Sequence, residues 1–179
     1  MAGPVGCRGL RHGHVALTPR PGHSGTVAIC LSFVVALILT SVPLPAALAA
    51  WRPSWVAMTL MFWCLVLPDR VGIGSAWVLG ILLDVQGGAL LGQNALGLCI
   101  IAYLTLRLHK QIRVFPLLQQ SVVICFYLLL LEFFTLWVRG ITGVPPQHWT
   151  FWAPAASSML LWPLFFATMN AVRHKYKAF

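Results

Sequence analysis

The stretch PDRVGIGSAWVLGILLDVQGGALLG, Pro68 to Gly92, decides how this chain is read. Pro68, Gly72 and Gly74 punctuate a short charged turn. A long apolar run follows, and its single charge is Asp84, near the middle. An acid at that depth in lipid costs ~3 kcal/mol or more, so its side chain should face protein or water. Gly72, Ala76, Gly80, Gly88 and Gly92 recur every fourth residue, with Asp84 in the remaining slot. Small residues at that spacing let another helix backbone approach closely. The stretch therefore predicts a buried, tightly packed membrane helix. A spacing of four drifts ~40° per step on a helix of 3.6 residues per turn. The small stripe should thus wind around the helix and serve two neighbours at different depths.

Composition sets the class. Of 179 residues, 59% are hydrophobic and 8% charged, and the mean hydropathy is +0.84. Soluble domains carry roughly a quarter charged residues, so the expectation is an all-α membrane protein. A β-barrel would need short alternating segments instead of these continuous apolar runs. The net charge of +9 does not indicate nucleic acid. The basic residues flank apolar runs, and no basic patch is interleaved with aromatics. Cys7, Cys30, Cys64, Cys99 and Cys125 have no CxxC or metal-type spacing and read as small packing residues.

Working outward, residues 1–25 are rich in Gly, Pro, His and Arg without helical period, which predicts a disordered basic cytoplasmic tail. A six-helix membrane domain is expected over 26–172, with approximate spans 27–47, 53–67, 74–91, 94–108, 117–138 and 150–172. Ala47-Leu48-Ala49 resembles a signal-peptidase site. Pro43, Pro45 and the long basic leader argue instead for an uncleaved first span. Pro53 suits the first turn of the second helix, and Trp51 and Trp55 suit an interfacial anchor. Residues 173–179 form a second basic tail.

Charge orients the bundle. With the N-terminus inside, Arg8, Arg11, Arg20, Arg70, Arg107, Lys110, Arg113, Arg173, Lys175 and Lys177 fall on the cytoplasmic side. Arg52 and Arg139 fall on the other. That bias predicts both termini in the cytoplasm.

Chemistry needs a nucleophile, base or metal site within reach of its companions. Two intramembrane acids, Asp84 and Glu132, are candidates for a relay or for binding a cation, against which stands the weightier reading of a hydrogen-bonded packing role. Ser157, Ser158 and His148 come without GxSxG or HExxH, and serine is common glue between membrane helices. Gly72-x-Gly74 lacks the third glycine of a dinucleotide loop. No catalytic, cofactor or metal residue is therefore assigned. The interaction candidates are Asp84, Gly80, Gly88, Gly92, Glu132, Arg70 and Trp55. Two readings stand: a small permease or substrate-binding membrane subunit that takes a small molecule or a lipid, and a scaffold for other membrane proteins.

The residues also carry a resemblance. RPxW at Arg52–Trp55 is followed by LPxRVGIG at Leu67–Gly74 and GILLD at Gly80–Asp84. GxLLGxxAL and IAYL then run through to Leu104, and FPLLQQ (Phe115–Gln120) and LLWP (Leu160–Pro163) follow downstream. In order and spacing these resemble the MreD family of rod shape-determining membrane proteins of Gram-negative bacteria, over roughly residues 26 to 175. Asp69 departs from the pattern, where histidine or another neutral residue is expected. The resemblance implies a multi-pass component of the bacterial inner membrane without enzymatic activity or cofactor. It implies work with MreC, the actin-like MreB, and the rod-complex glycosyltransferase and transpeptidase of lateral peptidoglycan synthesis, among membrane lipids. It also implies a compact six-helix architecture similar to the substrate-binding subunits of energy-coupling-factor transporters.

Overall fold

The structure is a computed structural model that describes residues 23–43, 45, 51–143 and 152–175. Among these residues it is wholly helical: α1 His23–Ser41, α2 Trp55–Val66, α3 Ile73–Gly87, α4 Gln93–Val114, α5 Leu117–Ile141 and α6 Ala153–Lys175. α5 and α6 are long and apolar enough to cross a membrane, whereas α1, α2 and α3 are shorter apolar helices. The expected tail over 1–25 lies outside the described residues except for the start of α1, and the loop before α6 lies outside them over 144–151.

Proline and arginine set the early boundaries. α1 stops at Ser41, just before Pro43, and the end of the span expected to reach residue 47 lies outside the described residues at 44, 46 and 47. The Arg52 guanidinium donates to the carbonyls of Leu39 (3.1 Å) and Val42, which occupies acceptors left over at that helix end. Further on, α4 continues to Val114 because nothing breaks it before Phe115-Pro116, where proline disfavours helix in the residue ahead of it. Its last two turns carry Arg107, Lys110 and Arg113.

The centre of the bundle is α2. It has only 12 residues, and every one from Val56 to Leu65 is buried. A helix apolar on all sides is stable only inside other helices, and α2 touches α1, α4, α5 and α6. Polar links fix its angle. The Trp63 indole donates to Ser32 Oγ of α1 at 2.7 Å, and the Ser54 amide donates to Ser158 Oγ of α6 at 3.0 Å. Phe62 meets Phe166 edge-to-face, with centroids 5.4 Å apart.

This corrects the reading of Pro68–Gly92. α3 buries only Ala76, Leu79, Gly80 and Asp84, while Trp77, Val78, Leu82 and Val85 are exposed. Its extensive packing is against α4 alone, so the small stripe serves one neighbour. The reason is length. Gly88 adopts the left-handed conformation (φ 61) and ends the helix, and Gly92 (φ 101) caps the start of α4. Gly72 precedes α3. Three of the glycines thus shape turns. Gly80 is the one at which two helices touch: a Cβ there would lie 2.1 Å from Ala95 Cα.

Gly80→Ala is therefore expected to destabilise the protein by ~1–3 kcal/mol, as overpacking does. Gly87→Ala, whose Cβ meets nothing within 4 Å, should be neutral or stabilising by up to ~1 kcal/mol, since alanine loses less entropy in a helix. Thermal unfolding of the detergent-purified variants checks this, and equal midpoints would refute the close approach.

Candidate functional site

The α3–α4 hairpin holds the first element of the site. Gly88 and Gly92 reverse the chain within a few residues. Asp84, in the last turn of α3, is thereby brought against the N-terminus of α4. The residue is 1% exposed. Oδ2 accepts the Gly92 N–H at 2.8 Å and Oδ1 accepts the Asn94 N–H at 2.9 Å. These are amides that a helix start leaves without intrahelical partners. A carboxylate there also complements the positive end of the helix dipole, and such charge-assisted bonds are about twice as strong as neutral ones. The Asp84 carbonyl in turn accepts the Ala89 N–H at 3.1 Å. One residue thus closes both ends of the turn.

The second element is a cavity of about 660 Å³ at the ends of the helices where α1 finishes and α2 begins. Arg52, Gln86, Asn94, Glu132, Thr135 and Arg139 supply its polar lining, and Trp55, Leu83, Leu98 and Leu131 supply apolar wall. Gln86 donates to Ser41 Oγ, which ties α3 to α1 at the rim. Glu132 and Arg139 are two turns apart on one face of α5, and the guanidinium lies within electrostatic reach of the carboxylate.

The two acids are not paired. No hydrogen bond joins Asp84 to Glu132 among the described residues, since Asp84 is occupied by amides and Glu132 lines the cavity. Asn94 links the two places, with its amide on Asp84 and the residue itself in the cavity wall. Trp55 is half-buried and tilts against Phe165 of α6 at 6.4 Å, so it faces inward, while Trp51 is exposed. Arg70 stands apart, in the turn between α2 and α3, with its amide on the Leu67 carbonyl at 3.1 Å. Gly80, Gly88 and Gly92 belong to the hairpin, the first as a contact and the other two as turn residues. Ser158 is buried and used as an acceptor by Ser54. Ser157 donates to the Pro154 carbonyl, and His148 lies outside the described residues. Among the described residues no three His, Cys, Asp or Glu side chains gather as metal ligands.

Sequence reasoning did not single out Arg52, Gln86, Asn94 or Arg139 as site residues. A signal existed for the two arginines. The charge count sets them on the less charged side of the expected bundle, and both line the same cavity.

Comparison with known proteins decides the family. A family model described as rod shape-determining protein MreD matches residues 23–172. The chain belongs to this family. A rod shape-determining protein MreD of Haemophilus influenzae is 30% identical over 145 residues, covering 81% of this chain and 90% of that relative. No solved structure matches the chain. The matched segment of this MreD-family chain contains every candidate residue described above.

Asp84→Ala would strand two part-buried N–H groups, each costing up to ~1–3 kcal/mol, so a loss of about 2 kcal/mol is expected. Asp84→Asn keeps one acceptor but sets an amide N–H₂ against the other N–H, and should fall between alanine and the native residue. Thermal unfolding together with hydrogen exchange at the Gly92 and Asn94 amides tests this. Unchanged exchange in Asp84→Ala would sink the capping role.

Proposed function

We propose that this chain is a non-catalytic, multi-pass scaffold of the bacterial inner membrane, with both termini in the cytoplasm. In this reading it is needed for rod shape and lateral peptidoglycan synthesis, binds MreC, and works alongside MreB and the rod-complex glycosyltransferase and transpeptidase. The observation that carries the reading is the family match over residues 23–172. The helix surfaces give it a physical basis. α3 is fixed on one side by the Asp84-capped hairpin, and on the other it exposes Trp77, Val78, Leu82 and Val85. Rigid, exposed aromatic and aliphatic side chains on a membrane helix suit van der Waals packing against another helix. Asp84 acts here as the fixing point that keeps this face in register.

A second reading, a permease subunit similar in architecture to the substrate-binding subunits of energy-coupling-factor transporters, is favoured by the cavity of about 660 Å³ with its charged lining.

In cells depleted of the native protein, the double variant Trp77→Ala/Val85→Ala should accumulate normally, capture MreC about tenfold less well, and leave cells rounded. Normal MreC capture and rod shape would remove the α3 face from the scaffold reading. A soluble metabolite that stabilises the purified protein would favour the second reading.

A further inference from the structure

The polar cavity is not isolated. Leu131 of α5 lines it on one side, and on the other lines an apolar groove of about 230 Å³ between α4 and α5. The two spaces follow each other by one helical turn on α4. Leu98 belongs to the cavity, and Gly97 and Ile101 belong to the groove. Leu131 packs directly on Gly97 at the floor of the groove, since a Cβ there would lie 2.5 Å from Leu131 Cδ1. The outer edge of the groove is open: Ile100, Phe133 and Trp137 are exposed on the surface of the two helices.

Charge defines what the cavity favours. Its lining holds two guanidinium groups, Arg52 and Arg139, against one carboxylate, Glu132. That leaves an excess of one positive charge at the cavity, with Arg52 half-buried and Arg139 exposed at its mouth, which favours an anionic group over a neutral or cationic one. Arg52 is held in place by the carbonyls of Leu39 and Val42. Its Nε is buried and has no hydrogen-bond partner among the described residues. A buried donor left unmade costs ~1–3 kcal/mol. Arginine forks match phosphate oxygens in geometry as well as charge. A soluble anion would satisfy the arginines but leave the groove unused, and a neutral hydrocarbon would do the reverse.

We propose that the cavity and the groove form one binding site for a membrane phospholipid with a net charge of −1. Its phosphate would sit between Arg52 and Arg139, and an acyl chain would lie along Ile100, Leu131 and Phe134. Glu132 and Thr135 face the remainder of the headgroup, the carboxylate rejecting a second negative charge. The site does not depend on the scaffold reading, because the residues of the exposed α3 face take no part in it.

The test is lipid retention by the full chain, purified in detergent, stripped of lipid and reconstituted with defined lipids, then read by native mass spectrometry. One phosphatidylglycerol per chain should be retained, with about tenfold preference over phosphatidylcholine. Arg139→Gln should lower retention about tenfold by removing the charge. Ile100→Trp should do the same by filling the groove from its exposed edge. Because Ile100 is a surface residue, this variant keeps the test decisive even where the arginine variant is unstable. Inorganic phosphate at millimolar concentration should not displace the lipid. Absence of retained lipid, equal retention of phosphatidylcholine, retention unchanged in Ile100→Trp, or displacement by inorganic phosphate would each overturn the proposal.

Discussion

One carboxylate holds the α3–α4 hairpin shut. Asp84 carries a negative charge at 1% exposure, and what makes that tolerable is the pair of amides at the start of α4. The dependence runs both ways. Without the acid, the first turn of α4 would have part-buried donors and no acceptors. Without the turn set by Gly88 and Gly92, the acid would be an unpaired charge in an apolar layer. Gly80 adds the steric half of the same arrangement, since the backbones can close to contact only where one lacks a side chain. Charge and close packing thus meet in one hairpin, and the exposed face of α3 takes its orientation from it.

The rest of the bundle is arranged around α2. Because it is apolar on every side, it has no preferred direction of burial, and partners on all sides must specify its position. The Trp63–Ser32 and Ser54–Ser158 hydrogen bonds do so at two points along its length. The edge-to-face contact of Phe62 with Phe166 of α6 fills the space between, and Trp162 of α6 packs beside Phe166 on the same helix. Trp162 also reaches Gln120 of α5 at 3.4 Å, so the two longest apolar helices are joined by a polar link beside the core.

Helix number and class were legible because hydropathy and proline placement are local signals. Asp84 as an acid facing protein was legible for the same reason: lipid excludes the alternative. The position of the core was not legible. Val56–Leu65 and the apolar residues of α3 have similar composition, and only tertiary packing decides which helix goes inside. The glycine spacing misled for a definite reason. Gly72, Ala76, Gly80, Gly88 and Gly92 fall in one numerical series, but the helix stops at Gly87, so the series mixes packing residues with turn residues. The cavity was hidden for another reason. Arg52, Asn94 and Arg139 come from three separate segments, and no spacing in the chain relates them.

The unequal helix lengths bear on the shape of the bilayer itself. α3, with 15 residues, is ~22 Å long, and α5, with 25 residues, is ~37 Å long. Both have exposed apolar residues, and in the six-span insertion that the sequence predicts both would face lipid. A hydrocarbon layer of ~30 Å would then thin beside α3, while α5 would tilt or gather thicker lipid around it. The protein would sit in an uneven collar of lipid, pinched on one flank. Any neighbouring span short enough to match that pinch gains free energy by settling there, before a single specific contact is made.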